Sequence, residues 1–155
     1  MTEAVGTSQA RTTTYEYVNA NIDLVTKASS PSIYASNNKD VVTTYDANQN
    51  ATSVTIIGFD AQGGTVTRAT TFQYDVFGKV TQIDGPRNDV TDITTLEYYD
   101  CNTGAECGQL QSVTNALGHT NTYDVYDAAA RLLQSTDANG VVTTCLLYTS
   151  PSPRD

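Results

Sequence analysis

Three observations predict an all-β fold made of repeated antiparallel β-hairpins. First, a cassette recurs in which Thr and Tyr alternate, a Tyr-Asp pair follows, a short turn intervenes and a Val- or Leu-bearing strand returns. Second, Thr, Val, Tyr and Ile are abundant, and such β-branched and aromatic side chains fit a pleated, half-buried surface. Third, turn chemistry punctuates the chain at short intervals, as in Asp46-Ala-Asn-Gln-Asn50, Gln62-Gly-Gly64, Phe77-Gly78, Leu117-Gly118 and Asp137-Ala-Asn-Gly140. A fixed period of this size means stacked copies of one supersecondary unit, so function is expected to belong to the array more than to any single copy.

The copies follow in order. A degenerate first one, TTTYEYVNANIDLVT, begins at Thr12. The next reads TTYDANQNATSVT from Thr43, then TTFQYDVFGKVTQI from Thr70, TTLEYYDCNTGAECGQLQSVT from Thr94 and NTYDVYDAAARLLQST from Asn121. Asp46, Asp75, Asp100 and Asp127 are thereby spaced 29, 25 and 27 residues apart. Apolar and polar residues alternate in Thr94-Thr-Leu-Glu-Tyr-Tyr99 and in Thr65-Val-Thr-Arg68, the period of strands. The Ala-rich run from Tyr126 to Leu133 could wind a helical turn or two, but its alignment with the other copies predicts strand-turn-strand. Asn139-Gly140 predicts a two-residue hairpin, because both residue types tolerate positive φ.

Two joints look looser than the rest. One is Ala28-Ser-Ser-Pro-Ser32 with Ser36-Asn-Asn-Lys39; the other is Asp84-Gly-Pro-Arg-Asn-Asp-Val-Thr-Asp92. Gly85-Pro86 must break a strand, since Pro lacks the ladder donor and restricts its predecessor. Composition does not shift along the chain in a way that marks a second domain.

Charge narrows the partners. With 8 basic and 17 acidic residues the formal charge is −9, and no Lys/Arg cluster forms the footprint that nucleic acid or an anionic membrane surface would require. The longest apolar runs, such as Val54 to Phe59, span only a few residues, so no segment is expected to insert in a membrane. Met1 to Gln9 lacks the apolar stretch of a signal peptide.

The repeated Tyr-Asp pairs are the main candidates for a structural role: Tyr45, Tyr74, Tyr99 (or its neighbour Tyr98) and Tyr126 at equivalent places in their units. Adjacent strand residues face opposite ways, so Tyr can bury its ring while Asp meets solvent or accepts turn amides. The Thr, Asn and Asp turns would supply acceptors for the Tyr hydroxyls. A row of Tyr side chains is alternatively a sugar-stacking platform.

Other candidates carry less. Cys101 and Cys107 bracket a turn, and two cysteines at the base of a hairpin loop can reach the Cβ separation of about 3.8 Å that a disulfide needs. They are read either as a disulfide, which implies an oxidising compartment, or as two reduced thiols. With His119 they make three zinc ligands at best, so no metal is expected. His119, the sole histidine, is read as an exposed turn residue, and no nucleophile motif accompanies it. Asp46-Ala-Asn48-Gln-Asn50 starts like a calcium loop but has Ala51 and Ile57 where Gly and Glu are required. Asp84, Asp89 and Asp92 are read as solvated turn residues. No catalytic residue and no cofactor are expected.

At these residues the sequence resembles the YD-repeat, or Rhs (rearrangement hotspot), family. The resemblance rests on Tyr45-Asp46-x-Asn48, Tyr74-Asp75-x-x-Gly78-x-Val80-x-x-Ile83, Gly108-x-Leu110-x-x-Val113-Thr-Asn-x-x-Gly118-x-Thr120, and Tyr126-Asp127-x-x-x-Arg131-Leu132-x-x-x-x-Asp137-x-Asn139-Gly140. Ala130 stands where the repeat usually has Gly, and the Cys101–Cys107 loop is an insertion. The resemblance implies β-hairpin arrays coiled into a hollow bacterial shell around a C-terminal toxin, secreted or displayed at the cell surface. The partners it implies are the remaining repeats and that toxin. The family's DPxG or DxDG self-cleavage motifs are absent from this stretch. A surface adhesion or glycan-binding module built from the same hairpins is the alternative.

Residues 1–144 are thus read as an incomplete repeat region. The last eleven, Cys145 to Asp155, break the pattern and can be written as codons that resemble read-through of a transposase adapter used in sequencing libraries. They are expected to be a scar and not a domain. Met1 is not taken as a natural start, and the chain is expected to be a fragment of a longer protein.

Overall fold

The computed structural model describes residues 2–3, 11–19, 22–34, 37–101 and 104–145. The adapter-like stretch from 146 onward lies outside them. The described residues hold no helix. The protein is all-β, as the Thr/Tyr alternation implies, and its strands run antiparallel, as short turns between them require.

By its internal contacts the chain divides into two compact units, 1–92 and 93–155. The division falls at the end of the Gly85-Pro86 joint, and the strand before it stops at Asp84 as the proline requires. In the first unit, β1 (Thr2–Glu3) pairs with β2 (Arg11–Thr12) as a separate ribbon. Six further strands then lie side by side in chain order: β3 (Thr14–Asn19), β4 (Ile22–Pro31), β5 (Asn38–Tyr45), β6 (Ala51–Phe59), β7 (Thr65–Tyr74) and β8 (Val80–Asp84). The second unit repeats the plan with β9 (Ile93–Tyr98), β10 (Leu110–Thr114), β11 (Thr120–Tyr126), β12 (Leu132–Thr136) and β13 (Val142–Thr144). Each strand pairs with the one before it and the one after it within its unit, a meander with only local connections.

The Ala-rich run resolves as strand-turn-strand. Tyr126 ends β11, residues 127–131 turn, and Leu132 opens β12. The expectation at Asn139-Gly140 needs correction. Only Gly140 has positive φ, at 81°, and the reversal takes three residues because Asp137, and not Asn139, closes it.

These sheets have no dry interior. Among the described residues no hydrophobic side chain is buried, and Ser112 is the buried polar one, its hydroxyl donating to Glu97 at 3.0 Å across β9 and β10. Apolar strand residues are mostly half-buried, which is what one sheet face offers before another layer covers it.

Candidate functional site

The unit of construction is a five-residue turn used six times among the described residues. It occurs at Asp46–Asn50, Asp60–Gly64, Asp75–Lys79, Asn115–His119, Asp127–Arg131 and Asp137–Val141. In each, the first residue's N–H donates to the fifth residue's carbonyl at 2.8–3.0 Å. The fourth residue's N–H donates back to the first carbonyl at 2.9–3.1 Å. One side-chain oxygen of the leading Asp or Asn then accepts the amides of the third and fifth residues, at 2.7–3.0 Å in all six turns. This is a three-residue hairpin loop whose last member sits in the left-handed region. Gly fills that position at 63, 78, 118 and 140; Gln49 (φ 69°) and Ala130 (φ 60°) adopt it without being glycine.

The leading carboxylates respond to these amides. Asp46 and Asp137 are held below the usual carboxylate range chiefly by the backbone amides of Asn50 and Val141. Asp127 is lowered first by the Arg131 side chain, whose Nε lies 2.7 Å from its Oδ2, and then by the Arg131 amide. Asn115 gives the same geometry without charge.

Within each unit, the turns at one end of its strands are preceded by tyrosine. Tyr45, Tyr74 and Tyr126 are the last residues of β5, β7 and β11, and each hydroxyl donates to a carbonyl of the preceding strand: Val25 at 2.9 Å, Ala51 at 2.7 Å and Leu110 at 2.7 Å. The acceptors are therefore main-chain carbonyls of neighbouring strands, where the polar turns were expected to supply them. Burial pushes the Tyr126 phenol above its ordinary value, helped by Tyr99 and Tyr123. A register shift accompanies each of these tyrosines, as the extra residue of a bulged turn demands.

Tyr99 belongs to the set by sequence but not by detail. It lies one residue past β9, and its N–H meets the carbonyl of Gln109 while its own carbonyl takes the Gly108 amide. It thus occupies the place that Asp holds in the other turns, and Asp100 is displaced into the loop. Its hydroxyl reaches forward, to the Tyr123 carbonyl at 3.1 Å, and its ring packs edge-on against Tyr126 with centroids 6.4 Å apart. Burial raises this phenol also, with Asp124 and Glu106 adding repulsion. The loop carries a disulfide between Cys101 and Cys107, whose Cα atoms are 4.3 Å apart.

The remaining sequence candidates do not converge. His119 is the fifth residue of its turn and is exposed. Asp92 instead receives the Arg87 amide at 3.0 Å and faces its guanidinium at 3.8 Å. Among the described residues no three His, Cys, Asp or Glu side chains gather as metal ligands. Sequence reading saw the Tyr-Asp turns but not that Asp60, Asn115 and Asp137 lead the same motif at the other strand ends. The spacing Asp/Asn-x-x-Gly-x, read without the tyrosine, would have found four of the six. No family model matches the chain, and no curated protein matches it.

Proposed function

We propose that this chain is a structural segment of a bacterial Rhs/YD-repeat shell, which encloses and helps deliver a C-terminal toxin, and that it has no catalysis of its own. The observation that carries the reading is repetition without a core. The same turn, with tyrosine anchors beside it, recurs in both units, yet no hydrophobic side chain among the described residues is buried. Hairpins of this kind gain apolar cover from neighbouring protein, as repeat arrays do. Exposed Val76 and Phe77 at one turn tip and Leu117 at another fit the same need. The shell reading places the parent protein in the secreted or cell-surface class.

The test begins with the parent reading frame, recovered past the codon for Thr144, and the longer protein expressed from it. Limited proteolysis should then leave a C-terminal segment intact until the repeats are unfolded. A reading frame without further Tyr-Asp turns, or a C-terminal segment cut as fast as the free polypeptide, would refute the shell. The adhesion reading draws on Tyr15 and Tyr17, alternate residues of β3 that are both exposed. Glycan binding lost on Tyr17→Ala would favour it.

A further inference from the structure

One strand residue of the first unit has no conformational reason to be glycine. Gly58 lies inside β6 with ordinary φ, and a Cβ built there meets nothing within 4 Å. Glycine within a strand weakens it, and often marks a place where another backbone or a ligand comes close. The open space above Gly58 is part of a recess of about 460 Å³, within the size range of ligand pockets.

The walls of this recess are apolar with two cations. Ile56 and Gly58 face Arg68 and Val66 across β6 and β7. Lys39 lies on β5, one residue before the Asp40–Ile57 pair. Ile33 and Phe59 complete the lining. The cations stand on strands either side of β6, whose backbones are about 10 Å apart, close enough for long side chains to converge over Gly58. Among the described residues neither has an anionic partner in an ion pair. Lys27, Arg87 and Arg131 pair with Asp40, Asp92 and Asp127, and Lys79 lies over the Phe77 ring, but no ion pair engages Lys39 or Arg68 among the described residues. In a chain of net charge −9, two unpaired cations at one recess are a local reversal of sign. The carboxylate at the rim, Asp60, has one oxygen committed to the Gln62 and Gly64 amides.

Tyr34, next to the lining residues Ser32 and Ile33, is tied to the neighbouring turn. The Tyr34 hydroxyl donates to the Asp60 carbonyl at 2.7 Å. The Tyr34 ring also meets Phe59 edge-on, centroids 5.9 Å apart. Tyr34 is thus tied to the β6–β7 turn, and its neighbour Ile33, 86% exposed, lines the recess.

We propose that this recess binds an extended peptide segment carrying a carboxylate between apolar side chains on one face. Alternate residues of a strand share a face, so an apolar-x-acidic-x-apolar stretch would set its carboxylate over Gly58, between Lys39 and Arg68. Its flanking side chains would then cover Ile33 on one side and Ile56 and Val66 on the other. Charge complementarity selects the acidic residue, and the missing side chain at Gly58 admits the approach. The site stands on the recess alone and does not depend on the shell reading.

The test titrates the isotopically labelled chain with the pentapeptide Ac-Ile-Thr-Glu-Thr-Ile-NH2 and with its Gln counterpart, following amide shifts by NMR. Shifts should centre on Gly58, Val66 and Arg68. Binding should weaken about tenfold for the Gln peptide and for Arg68→Gln, the loss expected of one charge-assisted contact. Gly58→Val separates folding from binding: it should raise the melting temperature while abolishing the shifts. Tyr34→Phe should weaken binding with the sheet spectrum intact. Equal affinity for the two peptides, shifts elsewhere, displacement by acetate at equal concentration, or full binding by Gly58→Val would each overturn the proposal. So would the absence of shifts at millimolar peptide.

Discussion

The two reversals at the same end of the second unit solve one problem by different means. At Asp127–Arg131 the chain turns in three residues, and a single carboxylate oxygen holds two amides while Arg131 holds the other oxygen. At Tyr99–Gln109 nine residues intervene, Asp100 no longer leads the turn, and a disulfide from Cys101 to Cys107 takes the place of the carboxylate. The strands on either side are alike: Tyr99 and Tyr126 pack edge to face, and both hydroxyls end on main-chain carbonyls. An inserted loop is therefore tolerated where something else closes it. The tyrosine beside the turn is the constant element, and the closing device varies.

If that is right, removing the covalent clip should cost most. Closing so short a loop is worth about 2 kcal/mol by chain entropy. Urea denaturation of the Cys101→Ser/Cys107→Ser double variant should show that loss. Unchanged stability would mean that Tyr99 and Gln109 close the loop unaided. The corresponding break in an ordinary turn is Asp75→Ala, which strips the Phe77 and Lys79 amides of their acceptor. Two charge-assisted bonds, one exposed and one part-buried, make the expected loss about 1–2 kcal/mol. The tyrosine anchors should contribute less: Tyr74→Phe removes only the bond to the Ala51 carbonyl, about 1 kcal/mol. A loss larger than that of Asp75→Ala would reverse the ranking of anchor and turn.

The comparison also shows why the sequence was readable in one respect and opaque in another. The strands were legible because Thr, Tyr and Val alternate and because Gly85-Pro86 must end β8. The tyrosine positions were legible as a row, since Tyr45, Tyr74 and Tyr126 precede Asp directly. Their acceptors were not, because a main-chain carbonyl on a neighbouring strand leaves no mark in the residue types. Tyr99, with Tyr98 as its alternative, was grouped with the others and Asp100 with the Asp partners; the insertion moves the closing pair by one residue, and no pattern shows register. The Gly58 recess was hidden for a similar reason, since Lys39 and Arg68 are far apart in sequence and come to one recess only through the β5–β6–β7 pairing.

Within the turns themselves, Ala130 and Gln49 are the strained members. A residue with Cβ at positive φ costs about 1–2 kcal/mol, partly offset by the extra freedom glycine brings to the unfolded chain. Ala130→Gly should therefore stabilise by about 0.5–1 kcal/mol, and Gln49→Gly by a similar amount. Thermal melts that show either variant less stable would mean that the fourth position makes contacts outweighing its backbone strain.

The smallest effect expected at neutral pH, and the sharpest comparison, separates Asp-led from Asn-led turns by acid. Asp46, Asp127 and Asp137 are held below the ordinary carboxylate range when folded, because turn amides and, first at Asp127, the Arg131 side chain favour the ionised form. A depressed carboxylate contributes stability that is fully present above its unfolded pKa and is lost as pH falls through the folded one. The protein should hold its stability down to about pH 4 and lose it progressively below. The Asn115 turn has the same amide geometry and no proton to take up, so it should not contribute to that loss. Asp137→Asn converts one type into the other with the side-chain oxygen kept, and the Leu117 and His119 amides on Asn115 show that Asn can hold the turn. The variant should therefore match the parent closely at pH 7 and lose less stability than the parent between pH 4 and pH 2. Parallel acid curves for the two proteins would show that the ionised form of Asp137 adds nothing to the hold of its turn, and that shape alone, not charge, closes these hairpins.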